Sequence, residues 1–160
     1  MKLSFILIFN ILFVTVFANP PEMNKKFKKE LEKHFNSDNI LLSELDEMST
    51  ENDLFFKLSD HGTEIGIAVL SEAKGRFDKF DFMIIYNNEM QIELIKILVY
   101  RSQYGSEITA KRWLSQFYEK SEDSLKYGSD IQAVSGATFS ASSLTNNINR
   151  INKILREYKD

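Results

Sequence analysis

Apolar positions along this chain follow two different periods. After Pro20 and Pro21, Met23, Phe27, Leu31 and Phe35 recur every four residues, a stripe that predicts an amphipathic helix ended by the polar run from Asn36 to Asn39. Ile40 to Met48 reads as a short segment leading into the main domain. From Leu54 the apolar runs shorten and become strand-like. Leu54 to Leu58, Glu64 to Ala73, Phe80 to Tyr86 and Met90 to Tyr100 are separated by Asp60-His61-Gly62, Lys74-Gly75 and Asn87-Asn88, which predicts an antiparallel meander. Ser106 is the expected cap of a helix running to about Tyr118, with Ile108, Trp113, Leu114 and Phe117 near one face. A polar loop from Lys120 to Ser129 and a short strand from Ile131 to Val134 precede a last helix, about Ser140 to Glu157, striped by Leu144, Ile148, Ile151 and Leu155. The expected class is α+β, an antiparallel sheet packed with helices, with a loop leading into the C-terminal helix. No internal repeat or low-complexity tract interrupts this order.

That loop, Ser135-Gly136-Ala137-Thr138-Phe139-Ser140, carries the candidate chemistry. A helix start offers unpaired N–H groups and the positive end of the macrodipole, so it suits an anion such as phosphate. Gly136 permits a tight backbone path, and the small Ala137 keeps the approach open. The Thr138 hydroxyl then stands where a phosphate could contact it or be esterified to it. Ser, Thr and Gly also gather before helices simply as caps and turn formers, and the loop by itself fits either reading.

Composition narrows the classes. The 160 residues are one domain's worth of chain. Lys2, the mostly apolar stretch Leu3 to Phe17, and the small residues Val16 and Ala18 before Asn19 predict a cleaved signal peptide over residues 1–18; an uncleaved signal anchor is the alternative. The chain has no cysteine, which excludes disulfides, a lipobox lipoprotein and thiolate-held iron–sulfur clusters, so any redox work falls to a bound cofactor. A formal charge of −3 without a basic stripe gives no reason to expect nucleic acid. Lys25, Lys26, Lys28, Lys29 and Lys33 form either a solvated helix face or a surface for anionic lipid headgroups. His34 reads as a surface residue. His61 has no second His or Cys to complete a metal set, and no metal is expected. Asp78 and Asp81 flank Phe80; strand-edge charge is the commoner explanation than paired acid–base carboxylates, and no catalytic residue is assigned.

The run Asp130-Ile131-Gln132-Ala133-Val134-Ser135-Gly136-Ala137-Thr138 resembles the attachment motif of the FMN-binding domain family. That family includes the flavin-carrying C subunit of the sodium-pumping NADH:quinone oxidoreductase and the G subunit of RNF-type complexes. Upstream, Tyr100 to Ile108 followed by Lys111-Arg112-Trp113-Leu114-Ser115-Gln116-Phe117 is similar to the family's glycine-containing loop and its W-x-x-Q-F helix. The likeness spans roughly Leu54 to Tyr158. Two features depart from the pattern. Gln132 stands where many members have an acidic residue, with Asp130 close by, and Ser102-Gln103-Tyr104-Gly105 replaces the E-T-P-G wording of the energy-converting subunits.

The resemblance implies residues 19–53 as an N-terminal helix and connecting segment and 54–160 as the FMN-binding domain. It implies that a flavin transferase moves FMN from FAD onto Thr138 as a phosphoester. Ser135, Gly136, Ala137, Phe139 and Ser140 would surround the attachment point, helped by Ser142 or Ser143 and by a cation among Arg101, Lys111 and Arg112. Tyr104, Trp113, Tyr127 and Phe139 are candidate walls for the isoalloxazine, with Tyr104 and Phe139 the preferred pair and Gly105 in the same loop as Tyr104. The implied function is an extracytoplasmic, periplasmic electron carrier. It would relay electrons between redox partner proteins, soluble or membrane-bound, without catalytic activity of its own. The alternatives are a non-flavinylated binding module of the same fold and a small flavin-dependent reductase.

Overall fold

A computed structural model describes residues 21–159. The leader expected over residues 1–18 and the side chain of Met23 lie outside what it describes. The first helix, α1 (Pro21–Phe35), buries Phe27 and Leu31 and rests Phe35 against the same cluster. Five strands follow in sheet order: β1 (Ile40–Glu44), β2 (Asp53–Asp60), β3 (Thr63–Lys74), β4 (Lys79–Tyr86) and β5 (Ile92–Tyr100). Every neighbouring pair is antiparallel, as the meander pattern predicts. The α+β class is therefore present, with one addition. The segment from Ile40, expected only to connect, is an edge strand paired from Ile40↔Asp60 to Glu44↔Phe56.

The sheet is covered on both faces, which is why β4 is buried along its whole length after Lys79. Phe55, Val69, Phe82, Ile84 and Tyr86 point to one side and pack with Ile108, Trp113, Phe117 and the Leu144/Ile148/Ile151/Leu155 stripe of the last helix. Phe56, Leu58, Leu70, Met83 and Ile85 point to the other side and meet Phe27 and Leu31 of α1. Period-two alternation thus feeds two cores, and a helix seals each. At Gly66, φ is +139° and an added Cβ would fall 2.1 Å from the Tyr86 carbonyl oxygen, so the approach of β3 to the end of β4 requires glycine.

The connection after β5 differs from the expected single helix. It is a 3-10 turn (Ser106–Thr109), a one-turn helix α2 (Lys111–Leu114) and a second 3-10 turn (Ser115–Phe117). Ala110 is extended, with φ −66° and ψ 123°, and interrupts the helix. Gly105, at the cap position of the first turn, makes no side-chain capping bond, so Ser106 does not cap; instead Thr109 Oγ1 donates to the Ser106 carbonyl at 2.7 Å. The short strand expected from Ile131 to Val134 is reduced to one parallel bridge, Tyr127↔Ile131. The last helix, α3 (Thr138–Lys159), begins two residues earlier than its apolar stripe alone predicts.

Polar ties fix α3 on the sheet. Arg150 donates to both oxygens of Asp53 at 2.5 and 2.8 Å, and Ser71 Oγ donates to the same carboxylate at 2.6 Å. Tyr86 Oη donates to Asn152 Oδ1 at 2.6 Å, and Asn152 Nδ2 donates to the Glu122 carbonyl at 2.7 Å. Asn149 both accepts from Leu125 N–H and donates to Leu125 C=O, holding the long loop down.

Candidate functional site

Three segments converge at the start of α3: the β3–β4 hairpin tip, the loop after β5, and the loop ending at Ala137. The bond from Ala141 N–H to the Ala137 carbonyl, 2.9 Å, opens the helix. The N–H groups of Thr138, Phe139 and Ser140 precede it and have no intrahelical acceptor. Ala137 is buried and anchors the turn in the core, while Thr138 and Phe139 on the next positions are exposed. Gly136 makes the turn at φ +82°.

Two further glycines let the neighbouring segments close in. A Cβ at Gly75 in the hairpin would lie 3.4 Å from Ser140 Oγ, and one at Gly105 would lie 3.3 Å from the same atom and 2.6 Å from Tyr100 Oη. Tyr100 Oη donates to the Tyr104 carbonyl at 2.7 Å. Its single proton is thereby used, and Ser140 Oγ, 3.0 Å away, donates to it. The buried Ser140 is therefore the pin that joins β5, its loop and the helix start.

The convergence leaves an open cleft of about 460 Å³. Thr138, Phe139 and Ser140 form its floor with Gly136 and Ala137, and Tyr104, Gly105 and Arg76 line it from the two other segments. Phe77, beside Arg76, tilts against Tyr104 with ring centroids 6.0 Å apart, and the Arg76 guanidinium lies 5.3 Å from the Phe77 centroid. Phe77, Tyr104 and Phe139 are respectively 66%, 68% and 52% exposed, a concentration of aromatic surface that isolated surface residues do not give.

Of the residues singled out in sequence, Thr138, Gly136, Ala137, Phe139, Ser140, Tyr104 and Gly105 share this cleft. Ser135 is exposed just outside its lining, and Ser142 and Ser143 are half-buried on the next turn of the helix. Trp113 is not a wall. It is buried in the core edge-on to Phe117, and its Nε1–H donates to the Gln132 carbonyl at 2.8 Å. Gln116 Oε1 accepts from Gln132 N–H at 2.7 Å, so the W-x-x-Q pair holds both backbone polar groups of one residue and steers the chain toward the loop. The clamp uses the backbone of residue 132, not its side chain. Tyr127 likewise has a bracing role, its Oη accepting from Val134 N–H at 3.0 Å. Asp130 closes the preceding turn by accepting from Lys126 N–H at 2.8 Å.

The cations expected at the site are elsewhere. Arg101 makes a fork to Asp81 at 2.6 and 3.2 Å and donates to the Lys79 carbonyl at 3.0 Å; the hydrogen bond to Asp81 raises its pKa. Asp81 is 4% exposed, a buried ion-pair partner and not a solvated edge charge. Lys111 lines a separate groove of about 420 Å³ beside β5 and α1, and Arg112 is outside the cleft. Arg76 takes the place sequence reading gave to these three. Its only local signal is a Gly-Arg-Phe tip between two strands; its neighbours across the cleft are distant in the chain. Glu107 sets the opposite sign nearby, with Oε1 3.1 Å from where a Gly136 Cβ would lie.

Elsewhere Phe27, Leu31 and Phe35 of the α1 stripe pack into the core, and the α1 lysines are exposed, with Lys28 paired to Glu32 at 3.7 Å. Among the described residues there is no cluster of His, Cys, Asp and Glu able to hold a metal ion, and no helix is long and apolar enough to cross a membrane. No protein-family model matches this chain, and no curated protein is significantly similar to it.

Proposed function

We propose that the chain is an extracytoplasmic electron-transfer flavoprotein carrying FMN through a phosphoester to Thr138. The observation that carries this reading is the exposed Thr138 at the first position of α3, opening onto a cleft that also holds an arginine and exposed aromatic rings. The donor set fits a phosphorylated planar ligand. Backbone N–H groups at the helix start and the Arg76 guanidinium suit a phosphate, and Tyr104 and Phe139 suit a flat ring. Gly105 and Gly136 line the same cleft.

Thr138 supplies the covalent bond: its Oγ joins the FMN phosphorus as the pyrophosphate bond of FAD breaks. AMP leaves, and the hydroxyl proton passes to a base of a flavin transferase. Bound FMN supplies reversible one- and two-electron chemistry. The protein's residues orient it and set its exposure, and the openness of the cleft leaves a tethered ring within reach of redox partner proteins.

The test is co-expression of the precursor with a flavin transferase in an exporting host, read by intact mass and by flavin fluorescence on a denaturing gel. Wild type and Thr138→Ser gain an FMN-sized increment, and Thr138→Ala does not. No increment in wild type, with the transferase active on a control protein, would reject the covalent flavin and leave a binding module of the same fold.

A further inference from the structure

We propose that Arg76 reads the phosphate of the cleft's ligand, so that the β3–β4 hairpin tip completes a site for a planar aromatic phosphate; the proposal rests on the flavin reading above. Among the residues lining the cleft, Arg76 alone carries a full charge. The arginines at 101, 150 and 156 are each held by an aspartate. Among the described residues no carboxylate lies within ion-pair distance of Arg76. Its guanidinium lies instead over the face of Phe77. A guanidinium stacked on a ring keeps its in-plane N–H donors available, and that fork matches phosphate oxygens.

The hairpin holds this arginine in place. Gly75 is buried at its base, donating N–H to the Asp78 carbonyl at 2.8 Å and lying against Ser140 of the helix start. Phe77 on the tip leans on Tyr104 across the cleft. Five large hydrophobic side chains stand exposed among the described residues, and three of them, Phe77, Tyr104 and Phe139, are gathered here. Glu107 lies beside Gly136, on the side of the loop opposite the hairpin, so Arg76 is the group that offsets its charge for an anion in the cleft.

The unmodified full chain, made in a host without flavin transferase, is titrated with FMN and with riboflavin and followed by quenching of flavin fluorescence. Wild type should bind FMN about tenfold more tightly than riboflavin, the scale of one charge-assisted hydrogen-bonded contact. Arg76→Ala should reduce that preference below about twofold, FMN losing far more affinity than riboflavin, and Arg76→Lys should retain part of the preference. Phe77→Ala should weaken both ligands alike. Equal binding of the two flavins by wild type, no saturable binding, or a preference that survives Arg76→Ala would overturn the proposal. The two readings separate cleanly. An FMN preference that Arg76→Ala removes, without a mass increment in the co-expression experiment, keeps Arg76 and rejects the ester; an increment without the preference does the reverse.

Discussion

One methyl group is enough to probe the centre of the sheet, because a Cβ at Gly66 would be forced into the Tyr86 carbonyl at a backbone angle that side chains rarely adopt. Gly66→Ala should cost about 2 to 4 kcal/mol, read as a lower denaturant midpoint at unchanged m-value. Asp53 is a second sensitive point. Burial acts to raise its pKa, but hydrogen bonds from Arg150 and Ser71, the Arg150 charge and the Thr50 hydroxyl outweigh it and hold the carboxyl below its ordinary value of 3.8. A depressed folded pKa means that the carboxylate's contribution is complete above the unfolded value and fades as pH falls through the folded one. Asp53→Asn should therefore destabilise by about 2 kcal/mol at pH 7, and the gap from wild type should narrow below pH 3.8 in acid-unfolding curves. A gap independent of pH would show that the pair contributes through packing alone. Burial pushes the Tyr86 hydroxyl in the opposite direction, well above its ordinary value of 10.0, so wild type should lose stability as pH rises beyond that value and Tyr86→Phe should lose less.

At the scale of elements, the backbone C=O and N–H of Gln132 are gripped by Trp113 Nε1–H and Gln116 Oε1, and this grip aims the segment before α3. Gln116→Ala should speed hydrogen exchange at the Gln132 amide by about tenfold without lowering the melting temperature by more than a few degrees. Unchanged exchange would show that packing alone holds the segment. Strands were legible wherever alternation was strong and a turn residue closed the run, as at Asp60-His61-Gly62, where His61 and Gly62 both have positive φ. The strand Ile40–Glu44 was not, because as an edge strand it buries Ile40 while leaving Leu41 64% exposed, which blurs its alternation. The break at Ala110 was hidden as well: alanine favours helix, and its extended backbone reflects tertiary context over propensity. Within the site, the loop from Gly136 to Ser140 and the Tyr104–Gly105 pair announced themselves by local sequence. Arg76 and Phe77 did not, since a turn arginine acquires meaning only from what the fold sets opposite it.

For the molecule as a whole, two helices seal opposite faces of one sheet, and neither core is closed without its helix. Leu31 is fully buried between α1 and the sheet, so Leu31→Ala should cost about 2 to 4 kcal/mol, and global chemical unfolding should show the loss. If Thr138 carries FMN as proposed, the same substitution should leave its attachment at permissive temperature intact, because α1 lies on the face away from Thr138. Loss of the mass increment in a folded Leu31→Ala protein would mean that the two faces are coupled.

The pin at Ser140 joins residues that a ribosome makes far apart in time. Tyr100 and the hairpin glycine at residue 75 are synthesised well before the helix that holds Thr138, and each strand can pair with its predecessor while that helix is still unmade. The hydroxyl therefore enters its finished surroundings only when the last element docks. A transferase that requires those surroundings would act on completed molecules and pass over partial ones, so the attached flavin would serve as a mark of successful folding.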